Sequence, residues 1–293
     1  MSDGPAASIA LIREADVGDD RLRDTYRDIK HGFRVPLVEE PFQAWAAMPR
    51  FLELVWRRLR PNILSSAFID NARSLAEAAD RAIAAWPIGD HAAALRGRGV
   101  GETDIRRMRE IAGLFWSLDH KLIIVVHAVR LALEGEDIGG AGVREIPQPD
   151  DERRDEKDFR GTPVTLVDER DAPFRARTIL DALKAASNLS FVPSEYRAMA
   201  AFPDWIDVWW SECRQELSKP RYVALRDELA LGAIERARLL PYRVRFSPDV
   251  MAGYKIMESD RRRLIDVTRA LCDAFPGLCV NVSVARRGLG QPT

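Results

Sequence analysis

The chain repeats itself, and that limits its fold more than any other feature. Segment 191–210 reads Phe-Val-Pro-Ser-Glu-Tyr-Arg-Ala-Met-Ala-Ala-Phe-Pro-Asp-Trp-Ile-Asp-Val-Trp-Trp. Pro193 suits the first turn of a helix, where its fixed φ is already right and its missing N–H is not needed. Tyr196, Met199, Ala200 and Phe202 come next at helical spacing and make one face apolar. Pro203 ends that helix, and Trp205, Ile206, Trp209 and Trp210 begin another. Segment 42–56 has the same plan. Phe42, Ala44, Ala46, Ala47, Pro49, Phe51, Leu52 and Trp56 match Tyr196, Ala198, Ala200, Ala201, Pro203, Trp205, Ile206 and Trp210 at a constant offset of 154. Residues 222–238 match 68–84 at the same offset, and 262–284 match 106–128 at an offset of 156. Two related units are therefore expected, each too small to be the whole core.

The units read as helical. Arg21 to Lys30 is amphipathic, two helices broken at Pro49 run on to Pro61, and residues 66–85 are rich in strong helix formers. His91 to Gly97 is a further helix, and Ile105, Met108, Ile111, Ala112 and Phe115 mark an apolar stripe. Ser117 to Lys121 is expected to interrupt it before a hydrophobic helix to Leu133. No convincing alternating strand occurs. The expected fold is all-α, with two pseudo-repeats packed as a pseudo-dimer. The first covers 1–135, behind a flexible lead-in over 1–18, and the second covers 178–293. Between them, 136–177 reads as a solvated linker, with Gly139, Gly140, Pro147, Pro149 and a charge run from Asp150 to Asp158.

A net charge of −1 gives no global field to recruit nucleic acid or an acidic membrane surface. The runs Arg57-Arg58-Leu59-Arg60 and Arg261-Arg262-Arg263 sit among acids and read as solvated faces. Cys213, Cys272 and Cys279 form no CxxC, so reduced core thiols are expected. The start lacks a signal-peptide pattern, and the longest apolar run, Leu122 to Val129, is too short to span a bilayer. A cytoplasmic protein is expected.

A repeat supplies an internal control: positions apolar in both units are packing, and polar departures are candidates for chemistry. Glu195 aligns with Pro41, and Asp119 aligns with Phe275. Each unit thus has one carboxylate that its sister lacks, and a pseudo-dimer would bring both to one interfacial cleft. The plain alternatives stay open. An acid in a first helical turn complements the macrodipole, and Asp119 could simply cap a following helix. His120 and His127 are seven apart, yet no HExxH or Glu-x-x-His pairing accompanies them, so no metal site is expected. Phosphate-loop and GxSxG patterns are missing too, so no cofactor is expected.

Several stretches resemble one family in order along nearly the whole chain. They are Thr25-Tyr26-Arg27-Asp28-Ile29 with Arg34-Val35-Pro36, Pro49 with Trp56-Arg57-Arg58, Leu118-Asp119-His120-Lys121, and Ser194-Glu195-Tyr196-Arg197-Ala198 with Pro203. The sequence is similar to the group I 2-haloacid dehalogenases of DehI type. The resemblance implies an all-helical fold whose two pseudo-repeats enclose the active site. It also implies a water, activated by an aspartate and positioned by an asparagine, attacking the halogen-bearing carbon with no covalent intermediate. The family's aspartate falls on Glu195 and its asparagine on Asp119, the two positions the repeat had singled out. Its pocket Trp and Phe fall on Leu37 and Glu40. The implied substrate-binding set is Arg34, Leu37, Glu40, Lys121, Ser194 and Tyr196, with Glu195 and Asp119 catalytic.

The departures matter. Glu for Asp moves the base outward by a methylene, and misplacement by ~1 Å can cost about a hundredfold in rate. Asp for Asn exchanges a donor–acceptor amide for an anion that only accepts. Glu40, Asp119 and Glu195 together would repel a haloacid carboxylate or raise one another's pKa, with Arg34 and Lys121 as the expected counter-charges. They would suit an ammonium. The leading expectation is carboxylate-assisted SN2 displacement on an amine-bearing biosynthetic substrate, closing an aziridine-type ring. Hydrolytic dehalogenation is the alternative, and a catalytically silent scaffold or partner subunit is a third. A small-molecule substrate is expected, while a homodimer or small protein partner is left open.

Overall fold

The structure, a computed structural model, describes residues 9–140 and 156–291. Among the described residues the chain forms helices and no β-sheet, and a single bridge joins Ile138 to Val244. The first series is α1 (Asp20–Phe33), α2 (Glu40–Trp45), α3 (Pro49–Ile63), α4 (Ser66–Ile83), α5 (His91–Gly97) and α6 (Glu102–Leu133). The second is α7 (Phe174–Ser187), α8 (Ser194–Ala200), α9 (Pro203–Glu216), α10 (Pro220–Arg238), α11 (Pro248–Gly253) and α12 (Glu258–Gly288). The first four pairs of helix starts stand 154 residues apart, and the last two pairs 157 and 156.

Local chemistry explains the matching joints. Met48 and Phe202 share φ −123° and ψ 85°. Each precedes a proline, whose ring bars the preceding residue from helical angles, so one helix stops and the next restarts on Pro49 or Pro203. Arg34 and Asn188 close α1 and α7 with left-handed φ of 58° and 50°. Asn visits that region readily, while Arg34 is held there by two backbone bonds: Val35 N donates to Lys30 O, and Phe159 N donates to Arg34 O.

At the centre, α6 and α12 pack against each other, with α4 and α10 on their flanks. Length and composition alone would let α6 cross a bilayer, but 89% of its most apolar window is buried inside this fold. A helix surrounded by core must be apolar all round. Trp45, Phe51, Trp205 and Trp209 are fully buried beneath the α2–α3 and α8–α9 joints.

Three expectations change. The interruption at Ser117–Lys121 does not occur, because α6 runs straight through it. That segment has no Pro or Gly, and polar residues alone do not stop a helix whose faces are covered. Asp119 is therefore a mid-helix buried residue and caps nothing. Pro61 likewise lies inside α3, and Pro276 inside α12. The lead-in is ordered from Ile9, whose N–H donates to Ser190 Oγ at 3.0 Å, and Val17 is buried. The linker is not solvated throughout. Its expected charge run lies outside the described residues up to 155, but Glu156 and Phe159 are buried and Val164, Leu166 and Val167 pack on the core.

Candidate active site

Four elements converge on a group of carboxylates. The loop after α1 delivers Glu39 and puts Glu40 at the first turn of α2, α8 begins with Ser194 and Glu195, α6 supplies Asp119, and α12 supplies Cys279 and Asn281. Glu39, Glu40, Asp119 and Glu195 are at most 5% exposed. Acids are almost never buried this far without a partner, so the bonds between them decide how they persist. Ser194 Oγ lies 2.5 Å from Glu39 Oε2 and 3.2 Å from Glu40 Oε2. One hydroxyl proton cannot serve both contacts at once, and two bare carboxylates this close and this buried repel each other, which favours a proton on one of the pair.

The electrostatics place that proton. Burial, the largest cause, lifts Glu39 well above the usual carboxylate range, and the Glu40 charge lifts it further. Asp119 is raised by burial and then by Glu40. Glu195 is raised by burial, then by Asp119 and Glu40, against a small opposing bond from its own backbone. Burial and the neighbouring acids thus favour the protonated form of Glu39. Asp119, Glu195 and Glu40, carried by helices of both series, thus lie near enough to feel one another's charge. The two cations expected at this pocket are engaged elsewhere. Lys121 Nζ meets Glu156 at 2.6 Å in a buried pair, and Arg34 lies 3.4 Å from Asp158. Arg197, whose Nε donates to Val167 O, is the cation that feels Glu40.

A neutral Asp119 alters the expected chemistry. In its acid form the group offers one O–H donor and one carbonyl acceptor, the same pair of functions as an amide. Glu195 has a second feature. Beside it lies a void of about 10 Å³, enough for about one water. Two residues of its wall each carry a buried side-chain atom with no hydrogen-bond partner: Glu195, through the acceptor Oε1, and Trp205, through the donor Nε1.

The remaining expected residues have plainer surroundings. Tyr196 Oη accepts from Asn281 Nδ2 at 2.6 Å, and Asn281 Oδ1 accepts from Tyr222 Oη at 3.0 Å. Tyr196 is thus tied to α12. Leu37 is buried in the core just before Glu39. Cys279 is fully buried, and burial, the largest cause, holds its thiol well above the usual range, with the nearby acids raising it further. Burial lowers His120 and His127 to about 4, so both are neutral imidazoles. No cluster of metal-ligating side chains occurs among the described residues.

Sequence reasoning missed Glu39, Trp205's open donor and Asn281. The repeat held a signal for the last, since Asn281 falls on Val125 at the 156 offset, a polar departure like those of Asp119 and Glu195.

Known proteins carry the same arrangement of helices. The family model described as halocarboxylic acid dehydrogenase DehI matches residues 36–173. An (R)-2-haloacid dehalogenase of Pseudomonas putida is 26% identical over 90% of this chain and 88% of its own. The chain is similar to the DehI family in sequence and in fold. A second (R)-2-haloacid dehalogenase, from Rhizobium sp. (strain NHG3), is 26% identical over 78% of this chain and 88% of its own. The solved structure of a D-2-haloacid dehalogenase mutant in complex with D-2-CPA matches with a TM-score of 0.87 at 26% identity, covering 96% of both chains. A D-2-haloacid dehalogenase with L-LA matches in fold with a TM-score of 0.89 at 24% identity, over 99% of both.

Proposed function

We propose that this protein is a hydrolytic dehalogenase of the DehI family with Glu195 as general base. Glu195 takes a proton from a water as the water oxygen attacks a halogen-bearing sp3 carbon. The carbon–halogen electron pair leaves with the halide, and the products are an alcohol, a halide ion and, once Glu195 releases it, a proton. The observation that carries this reading is the one-water void walled by Glu195 and Trp205, whose Oε1 and Nε1 have no partner. An acceptor and a donor from the walls of one water-sized space hold a water with its lone pair free to attack. Asp119, neutral, takes the amide's part beside it. The relatives' names support halide as the leaving group. We take 1–135 and 178–293 as two repeats joined by 136–177, with the site between them, in a cytoplasmic enzyme needing no cofactor.

A second reading has one observation in its favour. Glu39, Glu40, Asp119 and Glu195 are all buried acids, while Arg34 pairs with Asp158 and Lys121 with Glu156, a charge balance that suits an ammonium better than a free carboxylate. A substrate amine would then be the nucleophile and close a small ring. The relatives' names lend this version no support, so it ranks second. Halide release measured in isotope-labelled water on (R)-2-chloropropionate and on 2-chloroethylamine separates the two. Halide from the acid, with label in the hydroxy acid, is the expected result. Halide from the amine alone, with a ring product, would transfer the assignment to the second reading, and no halide from either would sink both.

A further inference from the structure

Two cavities flank the α6–α12 pair, one on the α4 side and one on the α10 side. The first, of about 260 Å³, is bounded by Ala72, Gly113, Trp116 and Arg286 among others. The second, of about 440 Å³, is bounded by His127, Arg130, Arg226, Arg269 and Cys272 together with Asp227 and Asp273. At the repeat offsets Ala72 falls on Arg226, Gly113 on Arg269, Trp116 on Cys272 and Arg130 on Arg286. One pocket has been built twice, and its two copies have diverged.

The divergence has a direction. In the first copy Arg286 is neutralised: its Nη1 lies 2.7 Å from Asp80 Oδ2, and its guanidinium sits 4.2 Å above the Trp116 ring. In the second copy the place of Asp80 is taken by Ile234 and that of Trp116 by Cys272. Arg130 thus lacks both of those partners and pairs with Glu134, at 3.4 Å, one turn along its own helix. Two more guanidiniums then enter, from Arg226 and Arg269, where the first copy has Ala72 and Gly113. Glu134 is shared with Arg269 at 2.9 Å, and Arg226 Nη2 donates to the Asp273 carbonyl at 2.9 Å. The floor is His127, 4% exposed. In this wall, the buried side-chain polar atoms lacking a partner are all nitrogens: both of His127 and the Nε atoms of Arg130 and Arg226.

Three unsatisfied N–H donors, the Nε groups of Arg130 and Arg226 and one nitrogen of neutral His127, beside three guanidiniums call for an acceptor of negative charge, and planar guanidinium forks match oxyanions. We propose that the groove between α6, α10 and α12 is a binding site for a small multivalent oxyanion of phosphate or carboxylate type, separate from the carboxylate site.

Calorimetric titration of the full chain with inorganic phosphate and with citrate, against chloride at matched ionic strength, tests this. Saturable binding of at least one is expected. Binding of citrate alone would support the site with a carboxylate head group, and binding of phosphate alone would support it with a phosphate. Arg226→Ala, which installs the residue that the first copy carries as Ala72, and Arg269→Gln should each weaken binding on the order of tenfold or more, the worth of a charged hydrogen bond. Halide-release activity should stay unchanged in both, which separates this site's failure from failure of the catalytic reading. No saturable binding of either anion, or folded variants that bind as tightly as the parent, would overturn the proposal.

Discussion

Glu39→Gln should make the protein more stable, and increasingly so as pH rises. Glu39 is buried, accepts a hydrogen bond from Ser194 Oγ, and is held well above the usual carboxylate range first by burial and then by the charge of neighbouring Glu40. The unfolded chain gives up this proton in the ordinary carboxylate range, while the folded chain keeps it. Above that range the folded state binds more protons than the unfolded state, so stability falls as pH rises, until the folded group ionises in turn. Each such group contributes a slope of about 1.4 kcal/mol per pH unit across that window. Glu39, Asp119 and Glu195 are all raised, so three groups acting together would set a limiting slope of about 4 kcal/mol per pH unit. Their mutual coupling makes this an upper bound.

Glutamine keeps the side-chain shape and an oxygen for Ser194 to donate to, and it removes one of the three titrations. The variant should match the parent at acid pH and gain about 1.4 kcal/mol per pH unit over it across the window. Urea unfolding from about pH 4 to about pH 8, with the slope m held common, reads this difference directly. Glu39→Gln and Asp119→Asn together should gain less than the sum, because each group helps to hold the other's proton. Parent and variant curves that run parallel in pH would refute the reasoning, since the carboxyl would then be titrating alike in both states.

The structure sets four further outcomes. Glu195→Gln should lower kcat for halide release by about 10²–10⁴-fold, the usual worth of a general base, and steady-state kinetics would show it. In the parent, the acidic limb of kcat/KM should lie above the usual glutamate range, because burial, Asp119 and Glu40 raise Glu195 and the base works only when ionised. Trp205→Phe keeps the ring packing but removes the Nε1 donor, so kcat should fall with little change in KM; an unchanged kcat would take Trp205 out of water placement. Gly288→Ala should cost about 1–3 kcal/mol in urea unfolding, because a methyl there would overlap the buried His91 ring, which bonds Glu212 at 3.0 Å.

The helical fold was legible because its breaks are chemical. Pro49 and Pro203 force the same joint, and the apolar stripes repeat at fixed offsets. Asp119 and Glu195 were legible for the same reason, as polar departures between matched positions. Other features depend on where distant segments lie. Lys121 was expected at the pocket, but its partner Glu156 comes from the segment between the two series, whose path no periodicity encodes. The continuity of α6 through Ser117–Lys121 was hidden because polar residues look like a break until the packing around them is known. Glu39 was invisible as a proton holder because its state is set first by burial, and burial depends on how distant segments pack around it.

Two departures from the family pattern, taken singly, would each spoil the site, and the electrostatics explain how they offset one another. By the resemblance, Asp119 stands where the family has an amide, and Glu40 where it has an aromatic. An ionised Asp119 would lose the donor that the amide supplies. The Glu40 charge, however, is the largest cause after burial that keeps Asp119 in its neutral form, and that form restores the donor–acceptor pair. The second change thus makes the first one chemically mild. Glu40→Gln should therefore do more than delete a carboxylate: it should let Asp119 ionise at lower pH and cost halide release on the alkaline side, where the donor is lost. In the Asp119→Asn background the same Glu40→Gln change should be nearly without effect on the alkaline limb, since an amide has no proton to lose. An equal alkaline loss in both backgrounds would mean that Glu40 acts on the reaction by some route other than the protonation of Asp119.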